Sequence, residues 1–283
     1  FTYICGTKNS KMKKLLFVFV TSLFFTSQKL EAQNAVTFSG NDGGSGSNQY
    51  ANMGTVQSFT DFTMEMNIRY NGGNQYYDRF VSSANNGLSF ANNGSGVIQF
   101  YSSDLGISWL SLGYQMTQGN WQHISFVRNG TTLSLYVNGS FYTSTSCGSG
   151  NISSAQWAIA SNLANYTENS SCTIDNFRLW NTALSATYIA ANYTNCLTGS
   201  EPNLVRLFNF EENTGTTLND LATADGVQNG TLTNSPTWVS GYACTSAGGA
   251  ALNFDGSNDY CSVPNNTLMN FGTGDVTLEA YVN

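Results

Sequence analysis

Short runs of β-branched and aromatic residues recur along most of this chain, separated by Asn-Gly, Gly-Gly and Ser-Gly pairs. Such runs predict β-strands, and the glycines and asparagines between them allow the backbone conformations that tight turns need. The clearest pair of strands is Trp121–Arg128 and Thr132–Val137, which Asn129 and Gly130 join as a predicted type I′ hairpin. A second turn is predicted at Asn138-Gly139.

Helical periodicity is almost absent from the chain. The one predicted helix is Ala186–Asn192, with Ser185 placed to cap its first turn. Many short strands at regular spacing, with only three prolines, predict an all-β antiparallel sandwich. Further strands are predicted at Phe62–Tyr70, Arg79–Ser83, Gly96–Tyr101, Ile107–Leu112 and Ala155–Ala160.

The N-terminal region has the pattern of a secretory signal peptide. Met12 and two lysines precede a largely apolar run, Leu15–Phe25, and Ala32 offers a small residue for cleavage. A membrane-spanning helix needs about 20 apolar residues, which favours cleavage over anchoring. We therefore expect residues 1–11 to be upstream sequence, 12–32 to be the signal peptide, and the mature protein to be secreted without membrane insertion.

The distribution of charge excludes several classes of function. Beyond residue 32 the chain has five arginines, no lysine and 16 carboxylates. Such a chain cannot neutralise a row of phosphates, so a nucleic acid partner is not expected. Because His123 is the single histidine, metal sites built from several histidines are excluded as well.

An internal repeat divides the chain. Ala35–Gly40 matches Ala251–Gly256, and Asp61–Glu65 matches Asp275–Glu279. We expect one complete domain at 33–198, a linking segment at 199–250 that opens the next unit, and a truncated second copy at 251–283. Within the linking segment, Leu204–Phe210 is a possible edge strand of the first domain.

Several segments resemble laminin G-like domains, of the concanavalin A-like lectin/glucanase superfamily. The resemblance implies a concanavalin A-like jelly roll of two antiparallel sheets, with glycans or surface proteins as extracellular ligands. In some members calcium takes part in binding. The resembling segments are the hairpin Trp121–Gly130 with Leu133–Gly139, the late strand and helix Ile174–Asn181 with Ala183–Ala186, and the openings Phe38–Gly40 and Phe254–Gly256.

Catalysis by this part of the chain is not expected. The same superfamily contains endoglucanases, whose paired carboxylates follow a Glu-x-Asp-x-x-Glu pattern that is absent here. Glu211 and Glu212 are adjacent, so in a strand they would point to opposite faces. His123 falls in a strand of the resembled hairpin, and we interpret it as structural.

Two sets of candidate binding residues remain. Calcium prefers carboxylate, amide and carbonyl oxygens, and Asp175 and Asp220 are candidate ligands because they lie where strands meet loops. The alternative is that these aspartates serve turn geometry. For carbohydrate, whose rings have apolar faces, the candidate ligand-binding residues are the aromatic side chains Tyr76, Tyr77 and Trp109.

Five cysteines follow the expected signal peptide, and export would place them in an oxidising compartment. In the resembled fold the segments around Cys147 and Cys172 return to the same sandwich, which implies a disulfide between them. Cys196–Cys244 and Cys244–Cys261 are competing pairs that exclude each other.

The resemblance favours a secreted binding or adhesion protein that recognises glycans or surface proteins and is not an enzyme. The alternative function is a non-catalytic accessory module of a secreted glycoside hydrolase. A third is a structural spacer in a long surface adhesin.

Overall fold

The structure, a computed structural model, describes residues 33–40, 48–73, 77–164 and 168–245. These residues form two antiparallel β-sheets packed face to face, as the sequence predicts. The strands are β1 Asn34–Ser39, β2 Tyr50–Val56, β3 Phe62–Tyr70, β4 Asp78–Ser83, β5 Ser89–Asn92, β6 Val97–Ser102, β7 Ile107–Gln115, β8 Trp121–Asn129, β9 Thr132–Val137, β10 Ser140–Ser146, β11 Ala155–Ile159, β12 Ser171–Trp180, β13 Leu204–Phe208, β14 Thr217–Leu218, β15 Gly230–Thr233 and β16 Thr237–Ser240; the helix is α1 Ala186–Asn192.

Each sheet contains eight of the described strands. In the first, sheet A, the order is β10-β9-β8-β3-β12-β1-β16. Strand β1 pairs with the first half of β12, and β13 pairs with the second half along the same edge. In the second, sheet B, the order is β14-β15-β2-β11-β4-β5-β6-β7. Because the chain crosses between the sheets several times, some neighbouring strands, such as β1 and β16, are far apart in sequence, as in a jelly roll.

The core lies between the sheets and is filled by inward-facing residues of the strands. In β3, the residues Phe62, Met64, Met66 and Ile68 are fully buried in it. Aromatic rings from both sheets meet there, since Phe126 of β8 packs 4.9 Å from the Phe90 ring of β5. Burial of each such ring contributes about 1.5–3 kcal/mol to stability. The two-residue period of the strands places these rings on the inner faces, and their burial holds the two sheets together.

The two hairpin turns around β9 differ in type. Between β8 and β9 the residues opposite each other are Asn129 and Thr132, so the turn consists of Gly130 and Thr131 rather than the predicted Asn129-Gly130. Only Gly130 has a positive φ, which is the requirement of a type II′ turn. The type I′ geometry is found one turn later, where Asn138 and Gly139 both have positive φ.

The predicted end of the domain at residue 198 is wrong. Strand β13 pairs with β12, which confirms that Leu204–Phe210 contributes an edge strand. Strand β15 joins β2 in sheet B, and β16 joins β1 in sheet A. Residues 199–245 therefore belong to this sandwich instead of opening a second unit, and apolar side chains among them, such as Leu207 and Leu232, are buried in it.

The predicted disulfide between Cys147 and Cys172 is also wrong. The structure joins Cys196 to Cys244, with their Cα atoms 5.1 Å apart, and leaves Cys147 and Cys172 as free thiols. Cys172 is buried in the core between the sheets, whereas Cys147 follows β10 at the far edge of sheet A. The pairing that forms was one of the two competing alternatives.

Several predictions fall outside the described residues. These are the upstream segment 1–11, the signal peptide 12–32, the second copy 251–283, and the candidate ligand residue Tyr76. Where the chain is described, no helix has the length and apolar character to cross a membrane.

Candidate functional site

The outer face of sheet B, the face turned away from the core, brings two predicted ligand residues together. The rings of Tyr77 and Trp109 stack with centroids 4.3 Å apart, and Tyr101 lies 5.2 Å from Trp109. The guanidinium carbon of Arg79 is 4.7 Å from the centroid of the Trp109 ring, close enough for a cation–π interaction. We call Tyr77, Arg79, Tyr101, Trp109 and Glu168 the open cluster, because its three rings and Glu168 are only partly buried.

Arg79 organises the open cluster. Its Nε and Nη2 atoms both lie 2.8 Å from Oε2 of Glu168, and its Nη1 donates to Ser89. The same Oε2 accepts a hydrogen bond from the side-chain amide of Asn162 at 2.8 Å. Burial lowers the pKa of Arg79, and the Glu168 carboxylate opposes that shift. The guanidinium is thus held over Trp109 with its charge compensated.

Two members of the open cluster have an unusual backbone. Tyr77 has a φ of 69° and Glu168 a φ of 56°, in the left-handed region that non-glycine residues rarely adopt. Each costs about 1–2 kcal/mol, and such cost is often found at binding sites. The backbones flank Arg79 directly, because the N–H of Arg79 donates to the carbonyl of Glu168 at 2.7 Å.

Sequence reasoning found Tyr77 and Trp109 but missed Arg79, Tyr101 and Glu168. Arg79 and Tyr101 could have been found from the alternation of strand residues, because every second residue of a strand lies on the same face of the sheet. Across four neighbouring strands the paired residues form a row, Arg79, Ala91, Gln99 and Ser111. Glu168 gave no such signal, since it comes from the loop before β12.

The outer face of sheet A carries a second polar group, which is covered. A β-bulge in β12 sets Asp175 opposite Asn67 and Arg178 opposite Glu65, so an extra residue keeps both charged side chains on that face. We call Glu65, Asn67, His123, Asp175 and Arg178 the sealed cluster; all five are at most 2% exposed.

Two segments, residues 181–197 and 241–245, form a cap over the sealed cluster. Arg178 donates to the carbonyl of Asn192 at 3.2 Å and to that of Asn195, and the N–H of Tyr242 donates to Oδ2 of Asp175 at 2.7 Å. The Cys196–Cys244 disulfide joins the two segments of the cap.

Burial dominates the titration of the sealed cluster. It lowers the pKa of His123 to about 3, an effect that nearby Arg178 reinforces. It raises the pKa of Asp175 to about 8, although the hydrogen bond from Tyr242 acts in the opposite direction. The pKa of Glu65 is also raised by burial, and Arg178 together with the indole N–H of Trp180, 3.1 Å away, limits the shift. His123 is thus a buried strand residue.

The two candidate calcium ligands lie in different places and are engaged in hydrogen bonds. Oδ1 of Asp220 accepts from the N–H groups of Leu207 and Ala222 at 3.0 Å, and its Oδ2 accepts from Gln228 at 3.1 Å. Asp175 belongs to the sealed cluster. Over the part of the chain that the structure describes, no three His, Cys, Asp or Glu side chains are grouped as a metal site. Calcium binding stays a prediction.

The family comparison matches the resemblance seen in the sequence. A model of a laminin G domain family in the concanavalin A-like lectin/glucanases superfamily matches residues 42–190. That match spans β2 to most of α1 and includes every residue of the open cluster. Among curated protein sequences, none matches this chain.

Solved structures are similar to this chain at low sequence identity. A proposed carbohydrate-binding protein from Bacteroides ovatus is 16% identical, with a TM-score of 0.58, over 74% of this chain and 60% of that protein. A heptameric SAP-like pentraxin from Limulus polyphemus is 17% identical, with a TM-score of 0.47, over 71% and 95%. Domain 4 of the arabinanase AbnA from Geobacillus stearothermophilus is 13% identical, with a TM-score of 0.41, over 55% and 80%.

Proposed function

Because this chain belongs to the concanavalin A-like lectin/glucanases superfamily, we propose that it is a glycan-binding module without catalytic activity of its own. The open cluster is the binding site in this proposal. The observation that carries it is the meeting of three partly exposed aromatic rings with polar groups on one sheet face.

The chemistry of the open cluster suits a sugar. Aromatic rings cover the apolar face of a pyranose, while fixed polar groups bind its hydroxyls and set its orientation. The row from Arg79 to Ser111 crosses four strands, a strip about 14 Å long at the usual strand spacing. The ring of Trp109 already contacts Tyr77, Tyr101 and Arg79. In this proposal Trp109 therefore holds the two tyrosine rings in place, and the tyrosine rings contact the sugar.

The absence of catalysis is part of the proposal. A retaining glycosidase needs two carboxyl groups about 5–5.5 Å apart, with one free to donate a proton. In the open cluster, Oε2 of Glu168 is shared by Arg79 and Asn162, which supports an orienting role instead.

Secretion and adhesion extend the proposal to the whole protein. The expected signal peptide supports secretion, and so does the disulfide, because disulfides persist mainly in oxidising compartments. The fold similarity to the Bacteroides ovatus protein supports a carbohydrate ligand. The alternative is an accessory module of a secreted glycoside hydrolase. It would use the same binding site, and it differs in that a catalytic domain would belong to the same protein.

A glycan array probed with the full chain tests the proposal. We expect selective glycan binding, and we expect Tyr77→Ala to weaken it about tenfold, which corresponds to the loss of one stacked ring. Tyr142→Ala is the matched control, because Tyr142 is an exposed tyrosine of β10 in the other sheet. Binding that is absent, or that Tyr142→Ala weakens as much as Tyr77→Ala, contradicts the proposal.

A further inference from the structure

The described surface has no exposed positive side chain. Beyond residue 32 the chain contains five arginines and no lysine. Four of the arginines are buried, and the fifth, Arg69, is partly buried against the ring of Trp121. His123 is buried as well. Carboxylates therefore dominate the electrostatic potential at the surface of the described residues, and a negative potential repels anions.

The open cluster does not reverse this sign. Arg79 is its one cation, and each of its three nitrogens already has a contact, two with Glu168 and one with Ser89. A sialic acid, a uronic acid or a sulfated sugar would have to compete with Glu168 for the charge of the guanidinium. The Glu168 carboxylate also stays beside the guanidinium, where its negative charge repels an anionic ligand.

An unused polar group lies on the same face. Gln99 of β6 is paired with Ala91 on one side and Ser111 on the other, two residues from Tyr101. Its Oε1 atom is buried and finds no hydrogen-bond partner within the described parts of the chain. Such a group costs about 1–3 kcal/mol while it lacks a partner. Because Gln99 as a whole is only partly buried, a rotation of its carboxamide brings this oxygen to the surface, where a ligand hydroxyl can donate to it.

We infer that the open cluster selects uncharged glycans, and that the Gln99 carboxamide hydrogen-bonds directly to a hydroxyl group of the bound sugar. The inference rests on the proposed function, since it names the ligand class of the same site. Neutral ligands are favoured by the compensated Arg79, and Gln99 supplies the polar contact that the rings cannot.

The first experiment compares ligand classes on the full chain. Neutral oligosaccharides, such as manno-, xylo-, cello- and arabino-oligosaccharides, are titrated beside sialyllactose, oligogalacturonates and heparin fragments by calorimetry at low salt. We expect binding within the neutral set and none in the anionic set. Low salt gives an anionic ligand its best opportunity, because charges are least screened there.

The second experiment tests Gln99 with the best neutral ligand. Gln99→Leu is expected to weaken binding about fivefold, the value of one hydrogen bond. It should leave the melting temperature unchanged or raise it, because it removes a buried polar atom without a partner. Gln57→Leu, the same change on an exposed loop after β2, should alter neither quantity.

The outcomes separate the two proposals. No binding to any glycan overturns the proposed function and this inference with it. Glycan binding that is equal or stronger for the anionic set overturns the inference alone. So does a Gln99→Leu variant that binds as wild type, or one whose melting temperature falls, because the latter gives Gln99 a structural role.

Discussion

The two outer faces of the sandwich carry similar residues but differ in what covers them. On sheet A, the sealed cluster combines a histidine, two acids, an amide and an arginine, all under the cap. On sheet B, the open cluster combines an arginine and an acid with three rings that remain partly exposed. Polar residues on an outer face therefore do not mark a site by themselves; the covering segment decides which face a ligand can reach.

The two faces also balance charge differently. In the sealed cluster, Nη1 of Arg178 lies 3.9 Å from Oε2 of Glu65. Arg178 also donates to two carbonyl groups of the cap, so it stabilises the position of the cap and compensates the charge of Glu65. Arg79 in the open cluster is bound to Glu168, which water can reach. Losing an arginine should thus be costlier where water cannot replace it.

Arg178→Met should have the largest effect, a loss of about 3–5 kcal/mol in the free energy of unfolding, because Glu65 is then buried without its partner. Arg79→Met is the matched control and should cost about 1–2 kcal/mol, since water can rehydrate Glu168. Urea denaturation of both variants measures the difference. Equal losses would remove the distinction between the two faces.

Removing the disulfide of the cap should come next. Cys196→Ser with Cys244→Ser should cost about 2–4 kcal/mol, because the unfolded chain gains conformational freedom. Cys147→Ser, which changes a partly buried free thiol, should cost less than about 1 kcal/mol. A reversed order of these losses would point instead to a disulfide that involves Cys147. Thermal denaturation without reductant measures all three changes.

The sealed cluster should give stability two opposing pH dependences. The pKa of His123 is depressed to about 3, so its contribution is present above pH 6.5 and is lost as the pH falls towards 3. The pKa of Asp175 is raised to about 8, so its contribution is present below pH 4 and is lost as the pH rises through 8.

Substitutions separate these two dependences. His123→Gln should remove the dependence of stability on pH on the acid side, because glutamine does not titrate. Asp175→Asn should remove the dependence between pH 4 and 8 for the same reason. The asparagine can still accept the hydrogen bond from Tyr242, so the contact with the cap is kept. Melting temperatures between pH 3 and 9 are the measurement. A profile that neither substitution changes would show that the cap admits water.

Glu168→Gln should have the smallest effect on stability, about 1 kcal/mol or less, because the ion pair with Arg79 is partly exposed on the acid side. The loss should shrink further in 1 M salt, which screens exposed charges. Chemical denaturation at two salt concentrations measures it. A loss as large as that of Arg178→Met would mean that the open cluster is as dry as the sealed one.

Local patterns predicted most of the first sandwich. Strand β3 has the predicted bounds, Phe62–Tyr70, and α1 begins after Ser185, whose side chain accepts from the N–H of Tyr188. These features depend on residues a few positions apart, which the sequence displays directly. The turn at Gly130 was predicted one residue early, since Asn129 and Gly130 fit two turn types and only the pairing of β8 with β9 chooses between them.

The sequence by itself determined the β-class, the family resemblance and the shortage of positive charge beyond residue 32, because composition and strand periodicity depend on no distant contact. Only the tertiary structure decided that residues 199–245 complete the first domain, that Cys196 pairs with Cys244, and that Tyr77 and Trp109 meet Arg79 and Glu168. The physical reason is that several sheet neighbours, such as β1 with β16 and β2 with β15, come from distant parts of the chain. Which side chains share a face, and which face the cap seals, follows from that pairing rather than from proximity in sequence.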